Sequence, residues 1–207
     1  MREYSRKEIA FERVLFFSDA IVAIAITLLA LDLKIQVPKG KILTFADLIA
    51  PWHKYLAFIL SFVNIAGFWR THHDFFVHIN KMDDRIFGFN ILWLFFIVTL
   101  PFATSVLSDH FGQTPAVFLY SLNIFFLSVF QNFIWDYADK LEYLNTANLE
   151  EGRRSDFRWM LNLDMINGLI AIAVSFFMPR LAFYLLFFKL PLFVLAVVFR
   201  TRKKRKA

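Results

Sequence analysis

Arg13-Val14-Leu15-Phe16-Phe17-Ser18-Asp19-Ala20-Ile21-Val22-Ala23-Ile24-Ala25-Ile26-Thr27-Leu28-Leu29-Ala30-Leu31-Asp32 is the stretch whose reading decides the fold. Over 14–31 it is apolar except for Ser18, Asp19 and Thr27. About 20 such residues in a helix cross the hydrocarbon of a bilayer. The run stops directly on Asp32-Leu33-Lys34, with no small-residue cleavage site after a short apolar core. It therefore reads as a retained span, not a cleavable signal.

Asp19 lies about one turn inside this span. A carboxylate at the bilayer centre costs roughly 2.5–3.5 kcal/mol on insertion scales, less towards the end. It is expected to face protein or water and to take a partner. Arg13 is six residues earlier, about 600° around a helix, so the two side chains point to different faces. A partner on another helix is expected instead, with Ser18 joining the network. Further along, Ile24, Leu28 and Leu31 recur at i, i+4 and i+7 as one helical stripe, with Thr27 beside it. By periodicity alone such a stripe packs on lipid or on a neighbouring helix.

Outward from this segment, five more apolar runs read as spans: 52–69, 86–107, 115–135, 159–178 and 181–199. The second opens with His53 and Lys54, holds Asn64, and is expected to continue from Arg70 to Asn80 as a polar helical extension. Pro101 inside the third predicts a kink. Trp52, Trp69, Trp135 and Trp159 fall at span ends, where interface aromatics gather. The longest polar loop, over 137–158, could hold an interfacial helix. Asn64, Asn90, Asn123 and Asn167 read as interhelical hydrogen-bonding residues.

Composition agrees. Of the 207 residues, 58% are hydrophobic, 28 of them Phe, and 19% are charged. A soluble domain is roughly 45–50% apolar and about 25% charged. Disorder, a nucleic-acid-binding domain with a polar exterior and most soluble enzymes are excluded. With no cysteine, disulfides and thiolate metal sites are excluded too. The net charge of +6 reflects topology: 17 Lys and Arg fall on the side holding both termini and 5 on the other, with Lys189 inside the sixth span. Both termini are therefore expected to be cytoplasmic. The basic tail 200–207 fits the same side and anionic lipid better than nucleic acid. Lys189, two residues before Pro191, marks a functional site or a snorkelling or paired lysine.

His72-His73-Asp74 with His78 invites a metal reading, but His73 and His78, five apart, do not share a helix face. A structural network near the cytoplasmic mouth is the better reading, one histidine partnering Ser18 and Asp19. No Gly-rich phosphate loop, His-Glu-x-x-His or nucleophile elbow is present, so no enzyme is expected.

The Arg13-x-x-x-Phe17-Ser18-Asp19 pattern, followed by the Ala20-to-Leu29 run, resembles the transmembrane protein 175 family of potassium channels. The likeness is to the prokaryotic type, with one six-helix unit per chain against two in animal lysosomal members. Phe68-Trp69-Arg70-Thr71-His72-His73 and the run from Asn90 through Trp93 to Leu100-Pro101-Phe102 look similar as well, though only the first-helix motif is specific. The resemblance implies an all-α membrane protein with six transmembrane helices and a single channel domain over 1–207. It implies a homotetramer in which first helices line a central pore. Ile24 would form the narrow constriction, Leu28 and Leu31 further apolar rings, and Thr27 a hydroxyl layer. Arg13, Phe17, Ser18, Asp19 and His73 would form the motif network.

Thr-Val-Gly-Tyr-Gly is absent, so a carbonyl filter is not expected. Preference for K⁺ over Na⁺ should be modest and arise from partial dehydration. The partners implied are further copies of the chain, the lipid bilayer and permeant K⁺, with no cofactor and no nucleic acid, in a multi-pass protein of the cell (inner/plasma) membrane. The alternative is a proton-coupled secondary transporter relaying through Asp19, His73, Asp164 and Lys189. Against it, transporters usually carry internal repeats, and none is evident here.

Overall fold

The computed structural model describes residues 6–35, 37–38, 40–144 and 151–187. Among them are seven α-helices: α1 (Arg6–Leu28), α2 (Phe45–Ile49), α3 (Trp52–Phe76), α4 (Asp84–Asp109), α5 (Thr114–Lys140), α6 (Glu151–Ser175) and α7 (Pro179–Phe187). α1 tightens into a 3-10 turn over Leu29–Asp32. The β pairing found among the described residues is an isolated antiparallel bridge between Ile79 and Leu144. Five helices of this all-α chain, α1, α3, α4, α5 and α6, are long and apolar enough to cross a membrane. The sixth expected span begins in α7. Its remainder, with Lys189, Pro191 and the basic tail, lies outside the described residues.

Local chemistry sets several helix starts. The Asp83 carboxylate accepts from the Arg85 and Ile86 N–H groups at 3.1 and 2.9 Å and caps α4. Pro115 sits in the first turn of α5 and Pro179 opens α7, where a missing N–H costs nothing. Gly112, at φ +77°, turns the chain between α4 and α5, and the Arg180 side chain lies where a Cβ would come within 3.2 Å. α4 runs through Pro101 as one helix.

The polar ends of the helices extend beyond their apolar runs. α3 continues to Phe76, short of the expected Asn80. Most of the loop expected over 137–158 is helix: α5 reaches Lys140 and α6 begins at Glu151. Charged residues favour helix well enough once an apolar face is docked. Here Arg158 also joins the two extensions, 2.7 Å from Asp139 and 3.6 Å from Asp136.

α5 is the centre of the bundle. It packs on α4 and α6 and also touches α3 and α7, whereas α1 lies at the edge against α3 and α4. Gly168 lets α6 approach α5 closely, since a Cβ there would sit 3.0 Å from the Phe125 Cα. Trp135 corrects the interfacial reading given to it. It is fully buried, its ring 4.9 Å from Phe75 and 5.1 Å from Phe157. Trp52, Trp69 and Trp159 are exposed.

Polar side chains join the buried faces. The Ser61 and Thr104 hydroxyls are 2.7 Å apart, and Ser61 and the Asn64 amide each donate to the Tyr120 hydroxyl at 3.1 Å. Asn123 donates to Thr99, Asn132 to the Leu161 carbonyl, and Gln131 to the Phe68 carbonyl at 2.7 Å. In hydrocarbon, such bonds average roughly 0.6 kcal/mol each, so they fix helix register more than they add stability.

Candidate functional site

α1 presents two opposite faces. Ser18, Val22, Ala25 and Leu29 are buried, spaced i, i+4, i+7, i+11, which is the stripe that docks on α3 and α4. On the other side Phe16, Phe17, Ala20, Ala23, Ile24, Thr27, Leu28 and Leu31 are exposed. Ile24 is 60% exposed and Leu31 63%. The apolar stripe read from the sequence thus faces away from the other described residues. The Thr27 hydroxyl donates to the Ile24 carbonyl at 2.8 Å, so its proton is held inside the helix while oxygen lone pairs remain. In the 3-10 turn, residues three apart eclipse one another, which brings Leu31 into line with Leu28.

One end of α1 is fixed by a directional chain of hydrogen bonds. The His72 Nε2 and the Asn90 Oδ1 are 2.7 Å apart. Asn90 Nδ2 donates to Ser18 Oγ at 2.9 Å, and Ser18 donates to the Val14 carbonyl at 2.9 Å. An amide oxygen only accepts, so His72 carries its proton on Nε2. All three side chains are buried. His72 is held by rings on two sides, stacked 4.3 Å from Trp93 and tilted 4.4 Å from Phe76.

Asp19, one residue on, accepts from the Trp69 indole N–H at 2.8 Å. That indole stacks on His73 at 5.7 Å. Asp19 therefore has its partner on another helix. Among the described residues no ion pair joins it to Arg13, which is exposed on α1.

Of the residues expected in the motif network, Ser18 and Asp19 are drawn onto α3 and α4, while Arg13 and Phe17 stay on the exposed side. Among the described residues, His73 meets the network at the Trp69 ring. The histidine buried in the network is His72, its neighbour. The sequence carries a signal for this: Ala57, Leu60, Ser61, Asn64, Ile65, Phe68 and His72 share the buried stripe of α3, and His73 falls one residue off it. Asn64, Asn90 and Asn123 do bond between helices; Asn167 is half-buried on α6. Sequence reasoning missed Gln131, whose grip on the Phe68 carbonyl fixes α3 beside Trp69 and His72. The proposed transporter relay is spread out. Asp19 and His73 flank Trp69, whereas Asp164 lies on α6, whose main contacts are with α5 and α7, and Lys189 lies outside the described residues. Among the described residues no group of three His, Asp or Glu is placed to hold a metal ion.

Apolar helices long enough to span a bilayer, with their backbone polar groups paired within each helix, define a multi-pass α-helical membrane protein. Residues 13–101 match the family described as endosomal/lysosomal potassium channel TMEM175. A potassium channel of Chryseobacterium sp. (strain P1-3) is 32% identical over 167 residues, covering 80% of this chain and 83% of that one. The endosomal/lysosomal proton channel TMEM175 of Rattus norvegicus is 36% identical over 140 residues, 61% of this chain but 28% of the rat protein. Among solved structures, that of a lysosomal potassium-selective channel TMEM175 homolog from Chamaesiphon minutus superposes with a TM-score of 0.70 at 29% identity, over 93% of this chain and 97% of that one. The chain belongs to the TMEM175 family of cation channels.

Proposed function

We propose that four copies of the chain form a K⁺-permeable channel of the cell membrane, with cytoplasmic termini and with α1 of each subunit lining a central pore. The observation that carries this reading is the two-faced α1. One side is bolted to α4 through Ser18 and to α3 through Asp19, while the side bearing Ile24, Thr27, Leu28 and Leu31 has no partner among the described residues. Four Ile24 side chains around an axis would make a constriction too narrow and apolar for a hydrated ion, which gates by dewetting. Selection would then rest on dehydration: K⁺ sheds water more readily than Na⁺, and Thr27 oxygens offset part of the loss. The preference is modest because no cage of backbone carbonyls replaces the hydration shell. The Chryseobacterium and Chamaesiphon relatives, both described as potassium channels, support the choice of ion.

Single-channel recording in asymmetric KCl and NaCl tests this. Passive current with a reversal potential towards that of K⁺ is expected, and Ile24→Asn should raise leak or lower the permeability ratio. Unchanged currents and ratios in Ile24→Asn would remove Ile24 from the pore. A second reading, proton passage, is favoured by the animal relatives, which are described as proton channels. A reversal potential that follows an imposed pH gradient would support it, and saturable coupled flux abolished in Asp19→Asn would point to a carrier.

A further inference from the structure

We propose that the junction of α3, α4 and α5 beside residues 68–75 binds water inside the bundle, held by the Gln131 Oε1, the Trp135 Nε1–H and the Trp93 Nε1–H. Among the described residues six buried side-chain polar atoms have no hydrogen-bond partner, and these are three of them. All three side chains are fully buried. Away from bulk water an orphaned polar atom is costly, so it is normally met by protein or by ordered water.

The orientation of Gln131 is forced. Its Nε2 reaches the Phe68 carbonyl at 2.7 Å, and a carbonyl only accepts. Turning the amide over would set oxygen against oxygen, so Oε1 is the atom left over. Trp135 stands four residues further along α5, and residues four apart share a helix face. Its ring lies 4.9 Å from Phe75. Phe68 and Phe75 belong to one buried stripe of α3, with His72 between them. Both α5 side chains therefore meet the same length of α3.

Trp93 comes to this level from α4. Phe96 faces Phe126 at 4.9 Å, and Phe89 faces Phe133 at 5.5 Å. That antiparallel register sets Trp93 level with Val129, roughly 3 Å along the axis from Gln131. Its ring stacks 4.3 Å from His72. The other three orphans, on Asn64, Ser121 and Asn123, stand towards the start of α5, where Asn64 meets Tyr120.

Chemistry selects the ligand. An amide oxygen only accepts and an indole N–H only donates. A cation is repelled by the indoles and an anion by the amide oxygen, whereas water donates to the one and accepts from the others. Buried waters are held by two to four such polar partners. Water here ties α4 and α5 to the length of α3 that carries Trp69 and His72, the residues that hold α1 through Asp19, Asn90 and Ser18. Its presence is independent of which ion the pore passes.

The chain has five Trp, so its indole N–H signals can be separated by proton-detected solid-state NMR of isotope-labelled protein in phosphatidylethanolamine–phosphatidylglycerol bilayers and assigned with single Trp→Phe variants. The Trp135 indole should resonate at a hydrogen-bonded position and receive magnetisation from water at short mixing times. In Gln131→Leu, which removes the acceptor, that transfer should fall several-fold, while the Trp69 signal, set by Asp19, keeps its position and reports an intact fold. A bonded Trp135 indole that receives nothing from water would overturn the proposal, since its acceptor would then be protein. So would a Trp135 signal at the unbonded position, or undiminished transfer in a folded Gln131→Leu. If that variant does not fold, the wild-type spectrum decides alone.

Discussion

α1 and α5 are both long apolar helices, yet the chain uses them in opposite ways. Only 22% of the most apolar stretch of α1 is buried within the chain, against 56% for α5. α5 buries Ser121, Asn123, Ser128, Gln131 and Asn132 among its neighbours. Among the described residues, α1 buries one polar side chain, Ser18. Because lipid is as apolar as leucine, hydrophobicity does not hold helices together inside a membrane; packing and polar contacts do. The helix rich in such contacts is the scaffold, and the greasier helix, fixed at one end, has a face left uncovered by the described residues.

Changes on the two sides should therefore differ in size. The largest loss is expected from Gly168→Leu, which forces α6 off the Phe125 backbone. Overpacking of this kind costs about 3 kcal/mol, and detergent extracts should lose the folded peak in size-exclusion chromatography. Asn90→Leu leaves His72 and Ser18 without their common partner, about 2 kcal/mol, seen as a lower Tm. Gln131→Leu removes one bond to a backbone carbonyl and should cost about 1 kcal/mol or less.

Asp83→Asn should matter still less at neutral pH, since asparagine also caps helices. Its signature is pH dependence. Burial raises the Asp83 carboxyl, but hydrogen bonds from the Ile86 N–H, the Tyr137 hydroxyl and the Arg85 N–H, with the Arg85 charge, bring it below its usual value. A depressed carboxyl contributes stability that is present above the unfolded value of about 3.9 and lost as pH falls through the folded value. Thermal melting between about pH 5 and pH 2 should be flatter for the variant. Smallest of all, Ile24→Ala should leave Tm within about 0.5 kcal/mol equivalent. A loss as large as that of Asn90→Leu would erase the contrast between the two helices.

Much of this was legible from residue order. The five described spans follow from apolar runs, and the stripe of Ile24, Leu28 and Leu31 falls on one face of α1 as periodicity requires. Helix ends were less legible, because hydropathy stops where charge begins while the helix does not: α6 starts eight residues before the span read at 159. Trp135 misled because an aromatic at a span end looks the same in sequence whether it meets headgroups or, as here, Phe75 and Phe157. The histidines were separable only by helix phase, one residue deciding between His72 in the core and His73 on Trp69. Gln131 gave no local signal, since its partner is a backbone carbonyl 63 positions away.

The four-residue turn that closes α1 has a mechanical consequence. At about 2.0 Å per residue instead of 1.5 Å, Leu29–Asp32 reaches roughly 2 Å further than an α-helix of equal length. Rewinding it to α geometry would retract that tip and swing Leu31 roughly 60° around the axis away from Leu28, with Ser18, three turns back, undisturbed. The side chains of Leu29–Asp32 can thus be re-aimed by a change of pitch alone, like a drill whose last flute is cut at a different angle from the shank.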